Sequence, residues 1–183
     1  MTKQMATTWW LTGLPGAGKT TLAQALAAAL RKRGEPVCVI DGDELRIGLC
    51  NDLGFDDASR AENVRRAAHM AQLLNANAIH AVVAMVSPAT EARQAAYATI
   101  GGAGHCKEIH VSTPLEVCEK RDPKGLYAKA RANQLKHMTG IHAAYECPAA
   151  PALRIDTSQT ALQESVQQLL NLQPDFLKGS RRA

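Results

Sequence analysis

Residues Trp9 to Thr21 read WWLTGLPGAGKTT, and no other stretch constrains the fold of this chain as strongly. An apolar run enters a G-x-x-x-x-G-K-T turn and leaves it into an Ala/Leu-rich segment with helical spacing, the context that separates a phosphate-binding loop from a chance glycine-rich turn. Gly13, Gly16 and Gly18 let the backbone bend so that successive N–H groups converge, and Leu14, Pro15, Ala17 and Thr21 complete the loop. The helix expected from Lys19 adds its positive dipole end. Lys19 is placed to reach β- and γ-phosphates, and the Thr20 hydroxyl to ligate Mg²⁺.

Along the rest of the chain, strand and helix signals alternate. Strands are expected at Thr8 to Thr12, Val37 to Asp41, Ala78 to Val86, Glu108 to Val111 and Leu153 to Ile155. Helices are expected from Lys19 to about Arg33, from a capping box at Ser59-Arg60-Ala61-Glu62 to about Asn75, and from about Thr90 to Thr99. Two more run from a Thr113 cap to about Arg121 and from a Thr160 cap to about Leu170. Strands joined through helices require a parallel sheet covered on both faces, so the expected class is a three-layer α/β/α P-loop nucleoside triphosphate hydrolase fold with a mainly parallel five-stranded sheet. Ligands then gather at the carboxyl ends of the strands, where Gly13, Asp41, Ser87, Ser112 and Asp156 fall.

With 183 residues and neither linker nor repeat, one domain spanning 1–183 is expected. Within it, 122–149 is too long for a plain connection and carries Lys124, Lys129, Arg131 and Lys136, which fits a lid closing over phosphates. The tail, about 174–183, reads as flexible. A formal net charge of +4 is too small to imply nucleic acid. No apolar run is long enough to span a bilayer, and the first six residues lack the apolar core of a secretory leader, so the cytoplasm is the expected compartment. Five cysteines without C-x-x-C spacing argue against a disulfide framework and a zinc site.

The second strand runs into Asp41-Gly42-Asp43-Glu44-Leu45-Arg46, which puts carboxylates across the cleft from the phosphate loop. Phosphoryl transfer needs an acceptor oxygen in line with the γ-phosphate and a group to hold its proton. Asp43 is placed to be that group; the alternative is a cap for the following helix.

These residues, together with Leu53-Gly54-Phe55, Asn63-Val64-Arg65-Arg66, Ser87-Pro88, Arg121-Asp122-Pro123-Lys124-Gly125-Leu126-Tyr127 and Thr139-Gly140-Ile141, resemble the adenylylsulfate kinase family over about residues 8 to 157. The resemblance implies transfer of the γ-phosphate of ATP to the 3′-hydroxyl of adenosine 5′-phosphosulfate, giving PAPS and ADP in sulfate activation. It assigns Asp43 to the 3′-hydroxyl, and Arg46, Arg60 and Asn63 to the phosphosulfate and ribose. Phe55 would stack on the acceptor adenine, Lys124 would meet the transferring phosphate, and Arg121 and Thr157 would border the adenine of ATP. Ser87 matches a serine described in some members as a phosphorylated intermediate; its alternative is a helix cap. Phe55 could instead fill core. Family members are commonly homodimers.

The departures from the family pattern cluster where the acceptor is chosen. Met138 and His142 stand in Met-Thr-Gly-Ile-His where Phe-Thr-Gly-Ile-Asp is usual, Ala143-Ala144 replaces Asp-Pro, and Ala89 replaces an aromatic. A related kinase of another modified nucleotide, such as a cytidine diphosphate derivative, or of a small metabolite is therefore the alternative, with a non-catalytic nucleotide-binding module as the third reading.

Overall fold

The computed structural model describes residues 6–173, so the expectation for the tail from 174 lies outside the described residues. Among these, five strands form one sheet in the order β2-β3-β1-β4-β5, every neighbouring pair parallel. They are β1 (Thr8–Thr12), β2 (Val37–Asp41), β3 (His80–Ala84), β4 (Cys106–Val111) and β5 (Leu153–Ile155). Around them run α1 (Lys19–Lys32), α2 (Gly42–Ile47), α3 (Asp57–Ala76), α4 (Thr90–Ile100), α5 (Leu115–Arg121), α6 (Leu126–Arg131) and α7 (Leu162–Leu170). The expected α/β class and five-stranded parallel sheet are found.

The two tryptophans show how one strand builds both layers. Successive side chains of a strand point to opposite faces. Trp9 packs with Leu22, Leu26 and Leu30 of α1 and Leu169 of α7, and its indole N–H donates to the Leu169 carbonyl at 2.9 Å. Trp10 packs on the other face with Val64, Ala67 and Ala71 of α3 and Ala96 and Ile100 of α4. Both rings are fully buried. The run of alanines in α3 and α4 lets these helices lie close to the sheet and to each other.

Three expected caps are replaced. The helix α3 begins at Asp57, and its cap is Asp56, which accepts the Ser59 N–H at 2.9 Å; Ser59 lies inside the first turn and its hydroxyl donates to the same carboxylate. At α5 the cap position is Pro114, because the Thr113 hydroxyl donates to the Ala17 carbonyl and accepts the Thr157 N–H. At α7 the cap position is Ala161 with no side-chain bond, rather than Thr160. The third strand is shorter than its apolar run: Ala78 turns at φ 59, and Met85 to Pro88 form the exit from the sheet rather than part of it.

Candidate active site

The parallel sheet brings the carboxyl ends of its strands to one edge, and a cleft of about 840 Å³ opens there. Its first wall is the phosphate loop. Gly13 takes φ 156 and comes so close to β4 that a Cβ would lie 2.4 Å from the Val111 carbonyl oxygen, which excludes any side chain. Gly16 and Gly18 have φ of 75 and 97, in the left-handed region that glycine occupies without strain. The loop is held from outside the cleft: Thr113 and Thr157 both donate to the Ala17 carbonyl, and the Tyr127 hydroxyl donates to that of Pro15. Leu14 and Ala17 send their side chains into the core, which leaves only their backbone to face the cleft. Thr21 lines the cleft from the first turn of α1.

Lys19 is buried, and its ammonium bonds the carbonyls of Gly13 and Leu14, both at 2.8 Å. Burial pushes its pKa down from 10.5 to about 8, against the opposing pull of Cys118, Asp43 and Asp41. Thr20 donates its hydroxyl to Asp41 Oδ2 at 2.7 Å. Asp41, which the sequence places at the ligand edge without a role of its own, also accepts the Asp43 N–H on Oδ1 at 2.9 Å and so caps α2. The alternative role for Asp43 is thereby filled by its neighbour, and the Asp43 carboxylate is left to face the cleft, where it pairs with Lys124 from segment 122–149. Asp41 was visible only as an acid at a strand end; its contact with Thr20 depends on the sheet order.

The far wall is cationic. Arg46 donates to the carbonyls of Leu53 and Gly54, with its guanidinium carbon 4.2 Å from the Phe55 ring centre. Arg60 donates to Phe55 O and to His137 O, both at 2.7 Å, tying α3 to the covering segment. Burial holds both arginines below their usual pKa, and for Arg60 the charge of Arg46 adds to the effect. Each guanidinium keeps unused donors, the arrangement that an anion relieves. Phe55 is 57% exposed and therefore does not fill core. Asn63 is 5% exposed, lines the cleft, and leaves its side-chain oxygen without a partner, as does the hydroxyl of buried Thr139. A buried acceptor with no donor costs about 1–3 kcal/mol until something supplies one.

Ser87 closes the floor. It has φ 44, its hydroxyl accepts the Trp10 indole N–H at 3.1 Å, and the residue at the cap of α4 is Ala89, so the helix-cap alternative is excluded. Met138 is 4% exposed: it packs with the core on one side and lines the cleft on the other. Arg121 donates to Thr157 Oγ1 at 2.7 Å and Thr157 O at 3.1 Å at the outer end of the phosphate loop. Arg65 and Arg66 turn away from the cleft to Glu62 and Asp52. The segment 122–149 is folded and tied down along its length through α6, the Arg60 bond and the Glu146 N–H to Pro88 O at 3.0 Å.

A family model described as adenylylsulphate kinase matches residues 5–156. An adenylyl-sulfate kinase of Phocaeicola vulgatus is 51% identical over 163 residues, which make up 89% of this chain and 79% of that protein. One of Bacteroides thetaiotaomicron is 48% identical over 163 residues, 89% and 81% of the two chains. Among solved structures, that of the Mycobacterium tuberculosis APS kinase in complex with AMPPNP and APS superposes with a TM-score of 0.86 at 42% identity, covering 92% of this chain and 97% of that one.

Proposed function

The chain belongs to the adenylylsulfate kinase family, and from that membership and the cleft's geometry we propose how it transfers the γ-phosphate of ATP to the 3′-hydroxyl of adenosine 5′-phosphosulfate. The observation that carries the reading is the pair of facing walls: a phosphate loop that leaves β1 and ends in the buried lysine opening α1, and the Asp43 carboxylate in the first turn of α2 at the same sheet edge, released from capping duty by Asp41.

In this proposal the loop amides and Lys19 grip the β- and γ-phosphates, and Arg121 and Thr157 border the adenine of ATP. Thr20 and Asp41 offer the hard oxygen ligands that suit Mg²⁺, which characteristically takes few protein ligands and completes its shell with phosphate and water. Held by these two residues, such an ion would supply neutralising charge to the phosphates. Asp43 orients the 3′-hydroxyl and accepts its proton. Arg46 and Arg60 receive the phosphosulfate, the Asn63 oxygen finds a donor on the acceptor, and Phe55 stacks on the acceptor adenine. Lys124 leaves Asp43 for the transferring phosphate as the acceptor arrives. A Ser87 intermediate is unnecessary, because in-line transfer between two bound nucleotides needs no covalent stage.

A coupled ADP-release assay with adenylylsulfate against cytidine nucleotides and small sugars tests the acceptor. Turnover is expected with adenylylsulfate at least about a hundredfold more efficient than with the others, since a site built to hydrogen-bond one substrate rejects analogues strongly. A preference for a cytidine derivative would replace the acceptor and keep the machinery.

Two further outcomes follow from single residues. Met138→Phe gives the acceptor a second aromatic face opposite Phe55, and the KM for adenylylsulfate is expected to fall about threefold, the worth of one aromatic contact; an unchanged KM would place position 138 outside the acceptor pocket. ATP binding should also depend on pH through Lys19. The folded value of about 8 lies below the unfolded 10.5, so between the two the unfolded chain holds the extra proton and the empty fold gains stability as pH rises. Phosphate binding needs the ammonium, so affinity runs the other way. Calorimetric titration is expected to give an ATP Kd about tenfold weaker near pH 9 than near pH 7; a flat profile would contradict the assignment.

A further inference from the structure

Behind the cleft, outside every group assigned above, lies a buried arginine whose bonds are all used. Arg93 on α4 is 4% exposed. Its Nε donates to Glu108 Oε1 at 2.8 Å, one Nη to the carbonyls of Ser87 and Pro88 at 2.7 and 3.0 Å, and the other to Thr90 Oγ1 at 3.1 Å and the Glu146 carbonyl at 2.7 Å. Five N–H donors thus meet five acceptors, which is all that a guanidinium has. A simple buried ion pair would need only Glu108. Of the other four bonds, one stays within α4 at Thr90 and three join two separate pieces of chain: the turn leaving β3 and the return from segment 122–149.

Each of those pieces reaches the cleft. Ser87 sits in its floor with the strained φ of 44, a conformation that a non-glycine residue keeps only when its surroundings enforce it. The return strap bonds the same turn twice more, from Glu146 N–H to Pro88 O and from Thr90 N–H to the Glu146 carboxylate at 2.6 Å. One residue earlier, the Tyr145 hydroxyl meets Thr12 Oγ1 at 2.9 Å, directly before Gly13. Upstream on this strap are Met138 and Thr139, which roof the acceptor half of the cleft.

We propose that Arg93 is a positioning residue for acceptor binding: it locks the Ser87–Pro88 floor to the strap that carries the roof, so that the two surfaces enclosing the acceptor are set at a fixed separation. This rests on the acceptor reading given above. The phosphate loop is held mainly from elsewhere: Thr113, Thr157 and Tyr127 tie it from the opposite side of the cleft, and the strap reaches its start only through the single Tyr145–Thr12 contact. The effect therefore falls mainly on one substrate. A lysine keeps the charge but lacks the planar fork that reaches all five acceptors.

The test is steady-state kinetics with both substrates varied, on the whole chain. Arg93→Lys is expected to raise the KM for adenylylsulfate about tenfold, the scale of a sub-ångström misplacement of a bound group, with the KM for ATP within about twofold of the parent. Tyr145→Phe, which removes only the hydroxyl tie to Thr12, is expected to raise the same KM about threefold. Glu108→Gln is expected to lower the melting temperature without moving either KM. If Arg93 serves folding alone, Arg93→Lys and Glu108→Gln share one profile, a lower melting temperature with both KM values unchanged, and the proposal is overturned. Should Arg93→Lys fail to fold, Glu146→Ala, which removes the carboxylate that bonds Thr90 N–H at the same junction, takes its place, and an unchanged acceptor KM in it overturns the proposal equally. If the parent enzyme prefers a different acceptor, the function proposed above falls, and the same KM comparison made with that acceptor still decides the role of Arg93.

Discussion

Lys19→Ala is expected to lower kcat/KM by about a thousandfold, with the melting temperature moving by no more than about 4 °C. Catalysis of phosphoryl transfer is mainly placement and charge compensation, so the one buried cation inside the phosphate loop carries a large share of it. Its contribution to the empty fold is small because two effects oppose each other. The ammonium satisfies the Gly13 and Leu14 carbonyls, yet its burial costs enough to pull its pKa down to about 8. Removing it loses both at once. ADP-release kinetics and a melting curve on the same preparation check this, and a loss smaller than about tenfold would mean that phosphate is gripped elsewhere.

Asp43→Ala is expected to cut kcat by about a thousandfold while the ATP Kd stays within about threefold of the parent, since in the proposed mechanism the carboxylate acts on the acceptor's proton and not on the donor's phosphates. The geometry supports this separation. Asp41 bonds Thr20 and caps α2, whereas Asp43 contacts the segment that covers the cleft through Lys124. Truncating Asp43 leaves the Thr20–Asp41 pair intact. Single-turnover kinetics with a parallel ATP titration separates the two quantities; equal losses in both would assign Asp43 to the donor side instead.

The parts of this molecule that could be read from sequence are those whose chemistry is local. Gly13, Gly16 and Gly18 are demanded by backbone angles and by the approach of Val111, and no neighbour could relieve that demand. The alternation of apolar strands with helices gave the parallel sheet for the same reason. Caps were read less well. Ser59 and Thr113 both carry good capping chemistry, yet Asp56 begins α3 three residues earlier, and the Thr113 hydroxyl is claimed by the phosphate loop, 96 residues away in sequence. Asp43 is singled out by its place after the second strand, whereas the bonds of Asp41 to Thr20 and to the Asp43 N–H depend on the folded sheet and leave no local signal. Arg93 and Tyr145 lay beyond reach because their importance comes from partners brought together only by the sheet and the return strap, with separations of 53 residues for Arg93 to Glu146 and 133 for Thr12 to Tyr145.

A crystal structure of this protein with a non-hydrolysable ATP analogue and adenylylsulfate bound together bears most directly on the facing-walls arrangement. The expected result is the Asp43 carboxylate within about 3 Å of the 3′-hydroxyl, that oxygen in line with the γ-phosphate, and Lys124 moved from Asp43 onto the phosphate. Asp43 still paired with Lys124 while the sugar hydroxyl lies elsewhere, or a cleft that admits only one nucleotide, would contradict it.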